Sequence, residues 1–139
     1  MPKKKNSIRG KKSRAAGARF ELKVRNKLES EGWIMDKWTN NVDLEKGKLM
    51  KAKRKYNPFK KVMVIGTGFP DFIAFRSKGK NYEIIGVEVR GSGWLDKSEK
   101  EKCKFLLNKK IFSKILIAKK GKKRGEIEYD DFKEKYNNL

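Results

Sequence analysis

The chain has 139 residues, with 38 Lys and Arg against 17 Asp and Glu, so that its formal net charge is +21. This length suits one domain, because two hydrophobic cores would leave too few residues for each. No apolar run approaches the roughly 20 residues of a membrane span, and no apolar segment follows the basic start. We therefore expect a cytoplasmic protein without a signal peptide or a membrane partner.

The composition favours a polyanionic partner, because each Lys or Arg that meets a phosphate releases condensed counterions. Three Trp, eight Phe and four Tyr can fill a small core, which argues against a chain that is disordered throughout. The chain has no His and a single Cys, which excludes a structural zinc site, a His-based triad and an internal disulfide. Cys103 is expected to be a small core residue. A bound metal would be a hard cation held by carboxylate oxygens.

The charge is concentrated before residue 62, where it amounts to +14, against +7 for the rest of the chain. Residues 1–12 lack an apolar pattern and are predicted to form a flexible basic arm in front of one domain over residues 13–139.

A helix is predicted from about Ser13 to Ser30. Phe20, Val24 and Leu28 repeat every four residues on one face, and Gly32 ends the helix. Glu21 borders this buried stripe. After the helix, Trp33–Asn41 is expected to hold a short strand. The segment 45–61, with eight Lys or Arg, is expected to form a long basic loop or ribbon outside the core.

The second half of the chain carries the clearest strand patterns. Phe72–Phe75 is predicted to be a central strand, and Tyr82–Arg90 follows a turn and completes a hairpin. A helix over about Lys97–Lys110, a buried strand at Ile115–Ala118 and an edge strand near Glu126–Tyr129 come next. The order predicts an α/β fold, with a mixed central sheet flanked by helices.

Two acidic residues stand out among the apolar strand residues. Asp71 opens one strand, and Glu88 and Arg90 share one face of the next, while Ile85, Val87 and Val89 point to the other. A hairpin can bring Asp71 near Glu88. Two carboxylates in apolar surroundings are costly unless positive charge lies between them, and a divalent cation would supply it.

These residues resemble a known motif. Phe69-Pro70-Asp71, followed seventeen residues later by Glu88-Val89-Arg90, looks like the PD-(D/E)xK nuclease motif. Glu21 on the preceding helix fits the same superfamily, as do the helix and strand after the motif. The basic architecture is most similar to archaeal and viral Holliday-junction resolvase-like endonucleases, and the resemblance implies a restriction-endonuclease-like core.

The resemblance also implies roles for these positions. Asp71, Glu88 and the backbone carbonyl of Val89 would bind Mg²⁺ or Mn²⁺, and Glu21 would join them directly or through a water. The lysine of the motif falls on Arg90, which cannot act as a base at ordinary pH but could hold the scissile phosphate or stabilise the transition state. Lys100 is then the candidate lysine from elsewhere, because it lies near Leu107 on the helix face that meets the sheet.

The basic segments are expected to follow phosphates without reading bases. The residues predicted to contact nucleic acid are Lys11, Lys12, Arg14, Lys51, Lys53, Arg54, Lys55, Lys60, Lys61 and Ser92. Trp38 and Trp94 could stack on unpaired bases, although Trp is more often a core residue.

Two functions remain open at this point. The first is a metal-dependent endonuclease acting on DNA, with branched DNA such as Holliday junctions as its substrate and a homodimer as its expected state on a two-fold symmetric junction. The second is a nucleic-acid-binding protein without catalysis, either a nuclease fold that has lost its lysine or an RNA binder of the ribosomal kind.

Overall fold

The computed structural model describes residues 2–59, 61–65 and 68–137, but not the side chains of residues 2–9, 54–57 and 62–65. The elements in chain order are α1 (Pro2–Ser30), β1 (Ile34–Lys37), β2 (Asn40–Asp43), β3 (Lys48–Lys51), β4 (Arg54–Asn57), β5 (Val62–Ile65), β6 (Phe72–Lys78), β7 (Asn81–Val89), α2 (Lys97–Asn108), β8 (Lys114–Lys120), β9 (Ile127–Asp131) and α3 (Phe132–Lys135).

Helix α1 is longer than the sequence pattern predicts. It begins at Pro2, not near Ser13 as predicted. Proline suits a first helical position, and the Lys and Arg that follow have good helix propensity without any apolar stripe. The flexibility of this arm stays a prediction. At the other end Gly32 has φ +96°, and Trp33 N–H donates to the Leu28 carbonyl, which ends the helix as expected.

A five-stranded mixed sheet forms the centre of the protein, in the order β1-β6-β7-β8-β9. β7 and β8 are parallel, and the other neighbouring pairs are antiparallel. The β6–β7 hairpin turns through Gly79 and Lys80, since Lys78 pairs with Asn81. The predicted α/β class with a mixed central sheet flanked by helices is confirmed; the finer restriction-endonuclease-like core stays a prediction.

Helices α1 and α2 cover opposite faces of the sheet. Val24 and Leu28 of α1 pack against Ile85 and Val87 on one face. On the other face the α2 residues Cys103 and Leu106 pack against β8. Burial raises the pKa of the Cys103 thiol, which confirms the prediction of a core cysteine. Of the helices that the structure describes, none is both long and apolar enough to span a bilayer.

The basic segment between β1 and β6 folds as two antiparallel hairpins, β2–β3 and β4–β5, outside the central sheet. This agrees with the predicted ribbon, but Leu49 of β3 packs against the core, so the expectation that the segment lies outside the core is wrong there. Val42 of β2 is buried in the same part of the core, on the α2 face. The return of the chain to the sheet is fixed by two backbone bonds, from Gly68 N–H to the Trp38 carbonyl and from Phe69 N–H to the Asn40 carbonyl.

Candidate functional site

Asp71 and Glu88 lie opposite each other at one end of the central sheet. The register of β6 and β7 pairs Phe72 with Val87, which places Asp71 across from Glu88. Asp71 Oδ2 accepts the backbone N–H of Val89 at 2.8 Å, and the Asp71 carbonyl accepts the N–H of Trp38 at 3.1 Å. These contacts hold Asp71 against Val89, the residue that ends β7.

The Glu88 carboxyl group is buried, with only 4 % of the residue exposed. It is hydrogen-bonded to the Asp71 carboxyl group, and its pKa is raised to about 9, first by burial and then by the neighbouring Asp71 charge. The Arg90 guanidinium acts in the opposite direction. A carboxyl group that is buried beside a second acid retains its proton to a higher pH than one in water.

Arg90 links Glu88 to the first turn of α2. Its Nη2 atom donates to Glu88 Oε2 at 3.0 Å and also to Glu99 Oε2. Because Arg90 lies two residues beyond Glu88, both side chains leave the same face of the sheet, as the sequence predicts. Arg90 therefore contacts the buried Glu88 carboxyl group from the face of the sheet that the two residues share.

Glu99 is a member of this cluster that the sequence reasoning missed. It is the third residue of α2, where its Oε1 accepts the N–H of Asp96, while Asp96 Oδ1 accepts the N–H of Glu99. The Asp-x-x-Glu pattern before the apolar face of a helix could have located this capping box. The cap fixes the Glu99 side chain at the end of the sheet, and its second oxygen meets Arg90.

Glu21 approaches Asp71 from the opposite face of the sheet. It lies on α1 and is half-buried, and its pKa is raised by burial and by the Asp71 carboxylate, against the lowering effect of the Lys37 ammonium. The structure thus brings Glu21, Asp71 and Glu88 to one end of the sheet, with Asp71 the electrostatic neighbour of both glutamates. No described hydrogen bond joins Glu21 to Asp71.

A cleft of about 260 Å³ opens beside these residues, between α1 and the ends of β7 and β8. Glu21, Lys120 and Val89 are among its lining residues, whereas Asp71 and Glu88 are not. The remaining lining residues are Ser13, Ala16, Gly17, Phe20 and Gly91. The small side chains at positions 13, 16 and 17 leave the cleft open on the α1 side.

Lys100 is not brought to the carboxylates. Its ammonium lies 4.7 Å from the centre of the Tyr136 ring, and none of its described contacts involves Asp71, Glu88 or Arg90. The face of α2 that carries Lys100 lies against the C-terminal part of the chain. In the same region, Leu95 N–H, just before α2, donates to the Tyr136 hydroxyl. A catalytic role for Lys100 stays a prediction without a contact that supports it.

The residues expected to contact nucleic acid are distributed over several elements. Lys11, Lys12 and Arg14 are exposed on α1, and Lys51, Lys53 and Lys61 are exposed on the hairpin segment. Arg54 and Lys55 belong to β4, whose side chains the structure does not describe, and Lys60 lies outside the described residues. Ser92 is exposed in the loop after β7, where its Oγ accepts the N–H of Trp94 at 3.4 Å.

The two tryptophans considered for stacking differ in their surroundings. Trp38 meets the edge of Phe112 at 5.1 Å between ring centres and packs against the core. Trp94 is 66 % exposed, and the Lys135 ammonium lies 4.3 Å from its ring centre. The core interpretation therefore holds for Trp38 and does not hold for Trp94.

The donors at this end of the sheet suit a hard cation in type. Mg²⁺ in proteins commonly uses one or two carboxylates and completes its shell with waters and phosphate oxygens, and Asp71 and Glu88 are such a pair. Within the described part of the chain, no three or more acidic or Cys side chains converge closely enough to form a complete protein cage for a metal. The residues present therefore fit a cation that takes most of its ligands from water and substrate.

Comparisons with protein-family models, with curated proteins and with solved structures each found no match.

Proposed function

We propose that this protein is a metal-dependent endonuclease that hydrolyses phosphodiester bonds of DNA, with branched DNA such as a Holliday junction as its substrate. The observation that carries this proposal is the placement of Asp71 opposite Glu88, with Val89 bound to Asp71, beside a cleft in a chain of net charge +21. An acidic pair of this kind in a strongly basic chain is accounted for by a cation that sits between carboxylates and phosphate.

The roles of the residues follow from their contacts. Asp71 and Glu88 would hold Mg²⁺ or Mn²⁺, with the Val89 carbonyl as a further donor, and a bound metal supplies an activated water and neutralises charge on the phosphate. Glu21 lies across the cleft from Lys120 and would orient a water at the edge of the site. Arg90 would hold a phosphate oxygen, since a guanidinium donates two parallel hydrogen bonds to such groups.

The PD-(D/E)xK resemblance supports this assignment through the order of elements around the pair. A helix that carries Glu21 precedes the hairpin with Asp71 and Glu88, and α2 and the parallel strand β8 follow it. A homodimer with two sites is part of the proposal, because a four-way junction presents two symmetric strands. Light scattering after size-exclusion chromatography, with and without junction DNA, measures that state. The cytoplasmic location stays a prediction.

The decisive experiment is a cleavage assay on labelled duplex, single-stranded, flap and four-way DNA. We expect cleavage of the branched substrates with Mg²⁺ or Mn²⁺ and none with a chelator. Asp71→Asn, which keeps an acceptor for Val89 N–H, is the matched inactive control. Absence of cleavage at every divalent-metal concentration would reject the enzyme.

A second candidate function is a nucleic-acid-binding protein without catalysis, and one observation favours it. Arg90 contacts both Glu88 and Glu99 through the same nitrogen, so the buried acid has a cationic partner in the protein without any metal. This function predicts binding of DNA or RNA without hydrolysis in the presence of any metal. If six or more phosphates are contacted, the affinity should fall about 10³-fold or more between 50 and 200 mM salt. A salt-independent affinity would count against both functions.

A further inference from the structure

The loop between β8 and β9 forms a basic pocket next to the candidate site. The pocket has a volume of about 290 Å³, and Phe20 and Lys23 of α1 face the loop across it. Its cationic residues are Lys23, Lys120, Lys122, Lys123 and Arg124. Five cations around one small pocket repel one another, so the arrangement is favourable only when an anion or solvent counterions occupy it.

These five cations differ from their neighbours in having no acidic partner. Lys119 and Lys135, close by, both contact Asp130, at 2.9 and 2.8 Å. In contrast, none of the ion pairs found among the described residues includes a cation of the pocket. Their positive charge is therefore available to a ligand.

The one acidic residue of the pocket, Glu126, is engaged by the loop itself. Its Oε2 accepts the backbone N–H of Lys123 at 3.3 Å, and its own N–H donates to the Lys123 carbonyl at 3.1 Å. The Glu126 carbonyl accepts the N–H of Gly121 at 2.8 Å. These bonds close a compact loop, which presents the exposed side chains of residues 122–124 to solvent.

The pocket adjoins the cleft that contains Glu21. Phe20 and Lys120 line both of them, and the Lys120 ammonium lies 6.0 Å from the centre of the Phe20 ring. An anion in the pocket would thus share two lining residues with the cleft of Glu21. A ligand with several linked phosphates can occupy both places at once, whereas a single phosphate occupies only one.

We propose that the pocket formed by Lys23 and residues 120–126 binds a phosphate of the DNA backbone adjacent to the one held at Asp71 and Glu88. This inference rests on the proposed function for the position of the neighbouring phosphate. It adds a second contact point on the same strand and so fixes the direction in which the strand crosses the cleft. None of the residues predicted from the sequence to contact nucleic acid belongs to this pocket.

The test measures DNA affinity in the presence of a chelator, so that cleavage plays no part in it. The variant is the triple substitution Lys122→Ala, Lys123→Ala and Arg124→Ala, whose side chains are exposed. The matched control is the triple substitution Lys78→Ala, Lys80→Ala and Lys109→Ala of three exposed lysines, of which the first two lie at the β6–β7 turn, at the far end of the sheet. Thermal unfolding by circular dichroism confirms that both variants fold.

We expect the loop variant to bind labelled junction DNA about 10-fold more weakly and to reduce the slope of log affinity against log salt by about 1, the change that one lost phosphate contact gives. The control variant should stay within about threefold of the original chain because its lysines touch no phosphate. Equal losses in the two variants, or no loss in the loop variant, would overturn the proposal.

A second measurement locates the phosphate and identifies its source. DNA with a single neutral methylphosphonate linkage is scanned along one strand; one or two linkages should weaken binding by the original chain and have no further effect on the loop variant. Inorganic phosphate and a mononucleotide serve as competitors. Displacement of DNA by either at concentrations equal to that of the oligonucleotide would overturn the backbone assignment. Since both readouts are binding, a protein that fails to cleave can still confirm the pocket.

Discussion

The carboxylate of Asp71 accepts the backbone N–H of Val89 at 2.8 Å, and this bond joins the start of β6 to the end of β7. Asp71 is consequently both a structural acceptor and a candidate metal ligand. The Asp71 carbonyl accepts the N–H of Trp38, which is a structural contact. The Asp71 carboxyl group lies next to that of Glu88, which is the contact of a candidate metal ligand. The two roles can be separated by substitution.

Asp71→Asn should abolish cleavage and preserve the fold. The amide oxygen can still accept the Val89 N–H, whereas the charge that would hold the metal is gone. Asp71→Ala removes the acceptor too, which leaves a backbone N–H without a partner and costs about 1–3 kcal/mol. Cleavage assays and thermal melts of the two variants check this.

We expect the Asn variant to melt within about 2 °C of the original chain and the Ala variant about 4 °C or more below it. Both should bind DNA normally. Metal-dependent cleavage by the Asn variant at the original rate would show that the Asp71 charge takes no part in catalysis.

Glu88→Gln should stabilise the metal-free protein increasingly as the pH rises. The pKa of Glu88 is raised from 4.5 to about 9, so the folded state holds a proton that the unfolded chain loses. The associated stability is complete below pH 4.5 and is lost as the pH rises towards 9. Glutamine has no such proton to lose. The charged or titratable groups that face Glu88 are Asp71, Arg90, Glu99 and Cys103.

Thermal melts in a chelator at pH 6 and pH 9 measure this effect. The Tm of the Gln variant should exceed that of the original chain by more at pH 9 than at pH 6. Glu101→Gln, which changes an exposed carboxylate on α2, serves as the control and should show no such trend. A difference in Tm that does not depend on pH would mean that Glu88 is already ionised in the folded protein.

The sequence was sufficient to predict the acidic pair, because it depends on local features. Once β6 and β7 form a hairpin with a two-residue turn, the pairing of Lys78 with Asn81 determines that Asp71 lies across from Glu88. The alternation of side chains then separates Glu88 and Arg90 from Val89.

Contacts between distant elements could not be predicted in this way. Glu99 contacts Arg90 only because α2 packs across the sheet and the capping box holds Glu99 Oε1 at the Asp96 N–H, which leaves Oε2 for Arg90. The helical position of Lys100 indicated the correct face of α2, but the partner on that face is Tyr136, which folds back from the end of the chain. The start of α1 at Pro2 lies in a segment without an apolar repeat, so an apolar pattern cannot reveal it.

Arg90→Lys should retain cleavage and lower the thermal stability. The arginine reaches both Glu88 and Glu99 from one nitrogen, and a lysine, a compact charge without the planar fork, cannot reproduce that geometry. The positive charge next to the phosphate remains. Arg90→Met removes the charge and should reduce kcat about 100-fold or more, as loss of a donor that stabilises transition-state charge does.

Arg76→Met provides the matched control for these variants. Arg76 pairs with Glu83 at 3.5 Å and stacks on Trp33 at the other end of the hairpin. Its loss should lower Tm without changing kcat. Equal kcat values for the original chain and Arg90→Met would show that Arg90 only balances the charge of the two glutamates.

Gly68→Ala should destabilise the protein and displace Asp71. A Cβ atom at Gly68 would lie 2.3 Å from the Asn40 carbonyl oxygen and 2.6 Å from that of Trp38. Both atoms belong to the backbone that anchors the chain three residues before Asp71, so neither can move without breaking a hydrogen bond. We expect a loss of about 1–3 kcal/mol, seen as a lower Tm, and a further loss of kcat in the folded fraction.

Gly17→Ala is the comparison for this variant, because a Cβ atom there would meet nothing within 4 Å. That substitution lies within α1 and should raise the stability of the helix by about 1 kcal/mol. Urea unfolding measures the stability of each variant, and a single-turnover assay measures its rate of cleavage. If Gly68→Ala lowers stability yet leaves the single-turnover rate unchanged, the Trp38–Gly68 contact supports the fold alone, and the position of Asp71 is set by Val89.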